Sequence, residues 1–258
     1  MNITSNMAPA LLAGRLALVT GAGQGNGRAI AIGLARAGAR VVVTDINQQT
    51  ILQVAEEIRA AGGQAWAYLL DITSSEACVA LAGRVSAEVG QVDLLVNNAG
   101  IIFREGIDSP RAHESLRQTM DVNVIGTFNV THAWLPALRA TRGSIINLGS
   151  IASFTGQPGS TGYAPSKAAV KLLTQSLAIE LAKDGVRVNA IAPGVIETAM
   201  TVGTRGNPQV LQKFMQRTPM ARVGQPEELI GPVVFLASEM SSYVTGVTLA
   251  VDGGFMAA

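Results

Sequence analysis

The stretch Thr20-Gly21-Ala22-Gly23-Gln24-Gly25-Asn26-Gly27, TGAGQGNG, joins the apolar run RLALVT (15–20) to the amphipathic run NGRAIAIGLARA (26–37). A glycine-rich turn between a buried strand and a helix lets backbone N–H groups and the positive helix end face an anion, because no Cβ obstructs the approach. The spacing is Gly21-x-x-x-Gly25-x-Gly27. It differs from G-x-G-x-x-G and from the GxxxxGK[ST] phosphate loop, since no lysine follows. On these residues alone the stretch is either a diphosphate turn or a tight strand-to-helix connection.

The same alternation repeats along the chain. Strand patterns fall at 15–20, 39–44, 65–70, 92–97, 143–148, 186–192 and 247–251, and helical patterns at 26–37, 47–61, 74–89, 110–138, 162–183 and 226–238. Strands apolar throughout, alternating with helices, predict an α/β fold: a Rossmann-like, doubly wound parallel sheet of seven strands with helices on both faces. Thr73 or Ser74 suits the cap of the 74–89 helix, Gly38, Gly62 and Gly90 suit helix ends, and Pro226 suits a first helical turn. No linker or repeat divides the chain, so a loose lead-in (1–13) and one domain (14–258) are expected. Residues 194–225 break the rhythm, as a lid or binding loop does.

The formal net charge is +1, with 48% hydrophobic and 14% charged residues. The scattered basic residues give no footprint for nucleic acid or an anionic membrane, and no run is long and apolar enough to span one. A small-molecule partner is expected. Cys78 is the lone cysteine. It excludes an internal disulfide and a multi-cysteine metal site, and suggests a reducing, cytoplasmic setting. His113 and His132 lack companions at ligand spacing, so no metal site is expected. The first residues have no basic segment followed by an apolar stretch, unlike a signal peptide.

Asp45 ends the second strand pattern about twenty residues beyond the glycines, where a carboxylate accepts hydrogen bonds from ribose hydroxyls and repels a 2′-phosphate. Gln24 is neutral, and DINQQT (45–50) offers no cation for such a phosphate, so NAD is favoured over NADP. A helix cap is the alternative reading of Asp45. Tyr163 and Lys167 stand four residues apart, on one face of a helix. An ammonium beside a phenol lowers its pKa and makes Tyr163 a candidate proton donor and acceptor.

TGAGQGNG is similar to the TGxxxGxG coenzyme turn of the short-chain dehydrogenase/reductases, NNAG (97–100) to their motif after the fourth strand, and YAPSK (163–167) to their YxxxK. Asp71 in LDIT, Asn123 in DVNVIGTF, Ser150 in INLGS and PGVIET (193–198) match in the same order, and the resemblance runs from about Gly14 to Gly254. It implies a catalytic set of Asn123, Ser150, Tyr163 and Lys167. Tyr163 would exchange the proton, Ser150 would orient the substrate oxygen, Lys167 would hold the nicotinamide ribose, and Asn123 would position a relay water. It also places Gly21, Gln24, Gly25, Asn26, Gly27, Asp45, Ile46, Asp71, Ile72, Asn97, Ala99, Gly100, Tyr163, Lys167, Pro193, Gly194, Ile196 and Thr198 along the cofactor. Helix capping by Asp71 and loop satisfaction by Asn97 and Asn98 stay open as alternatives.

Asn26 stands where the family usually has an apolar residue, and its amide is expected to touch the diphosphate or cinch the turn. Pro165 suits only a first helical turn, so the helix should begin just before Tyr163. The expected substrate lining is Ile102, Ser150, Ser153, Phe154, Gln157, Tyr163 and Met200. Arg104 and Arg205 are the nearby cations, which favours a neutral alcohol or ketone. The resulting expectation is an NAD-dependent oxidoreductase interconverting a secondary alcohol and a ketone of a sugar, polyol or small cyclic alcohol. Its rivals are an NADPH-dependent 3-oxoacyl-[acyl-carrier-protein] reductase and a silent dinucleotide-binding scaffold. The family also implies a homotetramer built through 110–138, 162–183 and the C-terminal segment.

Overall fold

A computed structural model describes residues 11–258. The apolar runs become β1 (Leu16–Thr20), β2 (Arg40–Asp45), β3 (Ala65–Leu69), β4 (Leu94–Asn97), β5 (Ser144–Leu148), β6 (Arg187–Pro193) and β7 (Thr248–Val251). All pair in parallel, in the order β3-β2-β1-β4-β5-β6-β7. Because successive strand residues point to opposite faces, each strand feeds two cores at once.

The connections are α1 (Gly25–Arg36), α2 (Gln48–Ala60), α3 (Ser75–Glu88), α4 (Ala112–Met120), α5 (Thr127–Thr141), α6 (Tyr163–Leu181), α7 (Val202–Arg205), α8 (Pro208–Gln216) and α9 (Ile230–Ala237). Ala17, Val19, Val41, Val43, Leu94 and Val96 face α1, α2 and α9, which supply Ile30, Leu34, Ile51, Ile58 and Val233. Leu16, Leu18, Val42, Leu95 and Ile145 face α3, α5 and α6, which supply Leu81, Val85, Trp134, Leu138 and Leu181. The helix ends follow the expected chemistry: Ser74 caps α3 by accepting from Ala77 N–H at 3.1 Å. Gly38, Gly62 and Gly90 each follow a helix with positive φ.

Two expectations change. Residues 1–10 lie outside the described residues, but Leu12 is no loose lead-in: it is fully buried and its N–H donates to the Ala37 carbonyl at 2.9 Å. The helical stretch 110–138 is interrupted by a wide π-type turn at Asp121–Gly126, between α4 and α5. Gly126 lets this turn pack directly on Ile72, since a Cβ there would stand 2.6 Å from Ile72 Cδ1. Cys78 is buried, as expected, with its pKa pushed up to about 11 mainly by desolvation.

A buried amide ladder crosses the sheet behind the strand ends. Asn97 Nδ2 donates to Asn147 Oδ1 at 2.9 Å and to Thr131 Oγ1 at 3.0 Å, and Asn147 Nδ2 donates to Thr174 Oγ1 at 2.9 Å. Replacing Asn147 by Leu removes the acceptor from one and the donor from the other. Buried groups that lose partners cost about 1–3 kcal/mol each, so N147L should lower stability by about 2–4 kcal/mol, read as a lower urea midpoint.

Candidate active site

The strand order reverses between β1 and β4, and a crevice opens at the carboxyl ends of the strands there. It has a volume of about 480 Å³. Of the expected cofactor residues, Gly21, Gln24, Gly25, Asn26, Gly27, Asp45, Ile46, Asp71, Ile72, Ala99, Gly100, Tyr163, Lys167, Pro193, Gly194, Ile196 and Thr198 line this one cleft.

Asn97 does not. Its side chain turns into the amide ladder, and the neighbouring Asn98 lines the cleft instead. Asn98 Nδ2 donates to the carbonyls of Thr20 and Gly21, both at 2.9 Å, while Thr20 Oγ1 accepts from the N–H groups of Asn98 and Ala99 at 3.1 Å. Gly27 packs so tightly on this clamp that a Cβ would collide with the Gly21 carbonyl and the Asn98 amide. The first N–H groups of α1 have no side-chain cap, and no acid stands in its first turn. Asn26 Oδ1 is buried without a partner. Uncapped N–H donors, a cradle closed to Cβ atoms and an orphaned acceptor fit a bound dinucleotide.

Asp45 accepts from Gly23 N–H and Asn47 N–H, both at 3.1 Å, and so ties the turn to the end of β2. The cap of α2 is Asn47, which accepts from Gln49 and Thr50 N–H. Asp71 accepts from the Thr73 N–H and hydroxyl at 2.9 and 2.7 Å, leaving the cap of α3 to Ser74.

The side chains expected to be catalytic meet at the other end of the cleft. Tyr163 is the first residue of α6, with Pro165 in the first turn, and Lys167 lies one turn on. Ser150 follows β5 and caps a short 3-10 turn, Ile151–Ser153. Lys167 Nζ donates to the Leu148 carbonyl at 2.7 Å and stands 5.8 Å from the Tyr163 ring centroid. Asn123, carried by the π-type turn, accepts from Ile101 N–H at 2.8 Å and donates to the Ile101 carbonyl at 3.0 Å and Ser166 Oγ at 2.9 Å. Its carboxamide thus clamps the loop after β4.

The substrate lining was less legible. Ser150, Tyr163 and Met200 line the cleft, but Ile102, Phe154 and Gln157 do not. Ser153 is buried behind it, where its hydroxyl donates to the Lys167 carbonyl at 2.8 Å and accepts from Ser150 N–H at 3.2 Å. Phe154 lies under Lys171, whose Nζ is 4.3 Å from the ring centroid. Arg205 is paired with Glu197 at 3.0 Å.

A family model described as enoyl-(acyl carrier protein) reductase matches residues 21–256. The 3-oxoacyl-[acyl-carrier-protein] reductase of Thermotoga maritima is 37% identical over 246 residues, 95% of this chain and 99% of that protein. The L-tagatose-forming galactitol 2-dehydrogenase of Cereibacter sphaeroides is 41% identical, covering 95% of this chain and 96% of its own. The chain is a short-chain dehydrogenase/reductase. Among solved members, a putative NAD(P)-dependent gluconate 5-dehydrogenase from Beutenbergia cavernae with low-occupancy NADP superposes with a TM-score of 0.92. It is 42% identical, over 97% of this chain and all of that one. A 7α-hydroxysteroid dehydrogenase complexed with NADH and 7-oxo-glycochenodeoxycholic acid gives a TM-score of 0.90 at 39% identity, over 94% of each chain.

In this short-chain dehydrogenase/reductase, burial raises Tyr163 above the ordinary phenol value; Ser150 and the charge of Arg104 pull it back only in part. The depression expected from Lys167 is not what prevails, because desolvation wins and the ammonium is directed at Leu148. Burial also lowers Lys167, to about 8. At neutral pH the phenol therefore carries its proton and is ready to donate, while the phenolate that accepts a proton grows only as pH rises. Alcohol oxidation should climb with pH from 7 toward 10, with log kcat/KM rising by up to about one per pH unit, the limit for a single ionisation. Carbonyl reduction should not climb.

Proposed function

We propose that this chain is an NAD-dependent oxidoreductase that interconverts a secondary alcohol and a ketone on a polyhydroxylated small molecule. The observation that carries this reading is the opening of Ser150, Tyr163 and Lys167 onto the same cleft as the uncapped start of α1 and Asp45. When bound, the nicotinamide supplies the hydride acceptor or donor. The chain's own groups do the rest. Tyr163 gives a proton to the carbonyl oxygen or takes one from the alcohol, and Ser150 holds that oxygen in line. Lys167, with its Nζ anchored on Leu148, would hold the ribose hydroxyls of the bound cofactor. Asn123 fixes the loop after β4 so that Gly100 stays beside Lys167.

The substrate class draws on relatives named for galactitol and gluconate. The preference for NAD rests on Asp45, whose carboxylate stands where a 2′-phosphate would need a cation; Arg28, the nearby arginine on α1, is paired with Glu57. The same residue disfavours an NADPH-dependent 3-oxoacyl reductase, and the intact Ser150, Tyr163 and Lys167 disfavour a silent scaffold. Residues 194–225, containing α7 and α8, are proposed as the lid of one catalytic unit. Leu116, Ile125, Phe128, Leu172 and Ile179 are exposed on α4, α5, α6 and the turn between α4 and α5, and a homotetramer would cover them. The lone buried Cys78 suits a cytoplasmic setting.

Coupled assays over polyols, sugars and hydroxy acids test the reading. Tyr163→Phe should lower kcat by about 10²- to 10⁴-fold, the range for a lost general acid, while the NAD Kd measured by fluorescence quenching stays within about threefold. If no alcohol reduces either cofactor, the scaffold reading takes its place. Asp45→Ser should reduce the NAD-over-NADP ratio of kcat/KM by about tenfold or more, equivalent to about 1.4 kcal/mol. A wild-type preference for NADPH would remove the assignment of Asp45.

A further inference from the structure

Residues 194–225 leave the sheet after β6, and the two legs of this segment are stapled where they meet the cleft. Glu197 N–H donates to the Gly224 carbonyl at 2.8 Å, and Gly224 N–H to the Val195 carbonyl at 2.9 Å. The first leg then continues as Thr198, Ala199, Met200 and Thr201, all of which line the cleft. Thr198 stands against the start of α1, its Cγ2 3.3 Å from where a Cβ on Gly25 would stand. Further on, α7 is tied to the loop after β4, where Arg104 donates through Nη2 to the hydroxyl of the buried Thr204.

From α7 the guanidinium of Arg205 reaches back to this neck. Its Nη2 donates to the Thr198 carbonyl at 3.1 Å, its Nε to Thr201 Oγ1 at 3.2 Å and its Nη1 to Glu197 Oε1 at 3.0 Å. All three nitrogens are thus engaged by the protein, and Arg205 itself does not line the cleft. The Thr201 hydroxyl donates to the Ile196 carbonyl at 2.5 Å and accepts from Thr198 N–H at 3.2 Å. Both backbone polar groups of Thr198 are therefore fixed by one cluster. The second leg joins it through Gln225, whose Nε2 donates to Glu197 Oε2 at 2.9 Å. Glu197 is half exposed, and an ion pair so open to water contributes little to stability. What the guanidinium supplies is direction, because its planar fork holds several partners at set angles and a lysine ammonium does not.

We infer that Arg205 is a positioning residue, which seats Thr198 against the nicotinamide half of the dinucleotide by tying its backbone to α7 and Glu197. This inference rests on the dehydrogenase reading above. On that reading the adenosine ribose meets Asp45 and the diphosphate meets the start of α1, which leaves the nicotinamide for the end of the cleft that holds Tyr163. Asp45 ends β2, whereas Thr198 follows β6, and these strands lie on opposite sides of β1 and β4. The Thr198 segment is thus on the nicotinamide side, where its placement is felt by that half of the cofactor and not by the adenosine half.

The test is calorimetric binding of NADH and of ADP-ribose, which lacks the nicotinamide and keeps the rest. Arg205→Gln should raise the NADH Kd by about threefold to tenfold, the range for one lost hydrogen bond, while the ADP-ribose Kd moves by less than about twofold. Arg205→Lys keeps the charge without the fork and should recover only part of the loss. Glu197→Gln removes the charge pair but leaves the bonds to Thr198 and Thr201, so its NADH Kd should stay closer to wild type than that of Arg205→Gln. Thermal midpoints show which variants retain the fold. Should Arg205→Gln not fold, Thr201→Val removes the hydroxyl shared by Arg205 and Thr198 and carries the same comparison of ligands. An equal loss of both ligands, an unchanged NADH Kd, full recovery with lysine, or a Glu197→Gln variant as weak as Arg205→Gln would overturn the positioning role and leave the proposed function standing. A wild type that binds no dinucleotide would overturn both.

Discussion

The clamp that Asn98 makes on the carbonyls of Thr20 and Gly21 sets the geometry on which the cleft depends. A strand must turn into a helix there with its carbonyls satisfied and its N–H groups left free, two demands that conflict in most turns. The amide resolves them by taking the carbonyls for itself. Gly27 then lets α1 approach the clamp at backbone distance, and the helix start is aimed across the crevice at Thr198, whose Cγ2 is 3.3 Å from where a Cβ on Gly25 would stand. Asp45 adds a second brace through Gly23. The start of α1, the end of β2 and the Thr198 segment are therefore positioned by one short turn and the side chains around it.

The sheet does the corresponding work for Ser150, Asn123, Tyr163 and Lys167. Ser150 leaves β5, Asn123 leaves the π-type turn and α6 delivers Tyr163 and Lys167, yet all are cross-tied. Ser153 bonds both Ser150 and Lys167, while Ser166 accepts from Asn123 and donates to the Tyr163 carbonyl. Such ties hold side chains from separate elements in fixed mutual positions, which is what orientation-dependent catalysis requires.

The fold was legible because its strands are apolar on both faces, a pattern that only a covered parallel sheet accommodates. The motif residues were legible as a set, but the division of labour inside a motif was not. Asn97 and Asn98 are adjacent identical residues, and strand alternation sends one into the core and the other to the cleft; the letters NN do not say which. Ser153 reads as a loop residue near the site, yet its capping of Ser150 comes from a 3-10 turn that leaves no periodic trace. Ile102, Phe154 and Gln157 are loop residues, for which sequence distance from a motif says little about direction. Arg104 was visible as a nearby cation, but that its guanidinium donates to Thr204 on α7 is a property of packing.

The π-type turn at Asp121–Gly126 sits inside a stretch that otherwise reads as continuous helix, and it places Asn123 under Ile101. An α-helix advances about 100° per residue, so removing one residue from this turn would swing Asn123 about a quarter of the way around the axis. The helix would lose an irregularity and gain a hydrogen bond, while the loop after β4 lost its clamp. The chain tolerates the less regular backbone in the one place where regularity would dismantle the site, so shortening this turn is a route by which a descendant could keep the fold and lose the chemistry.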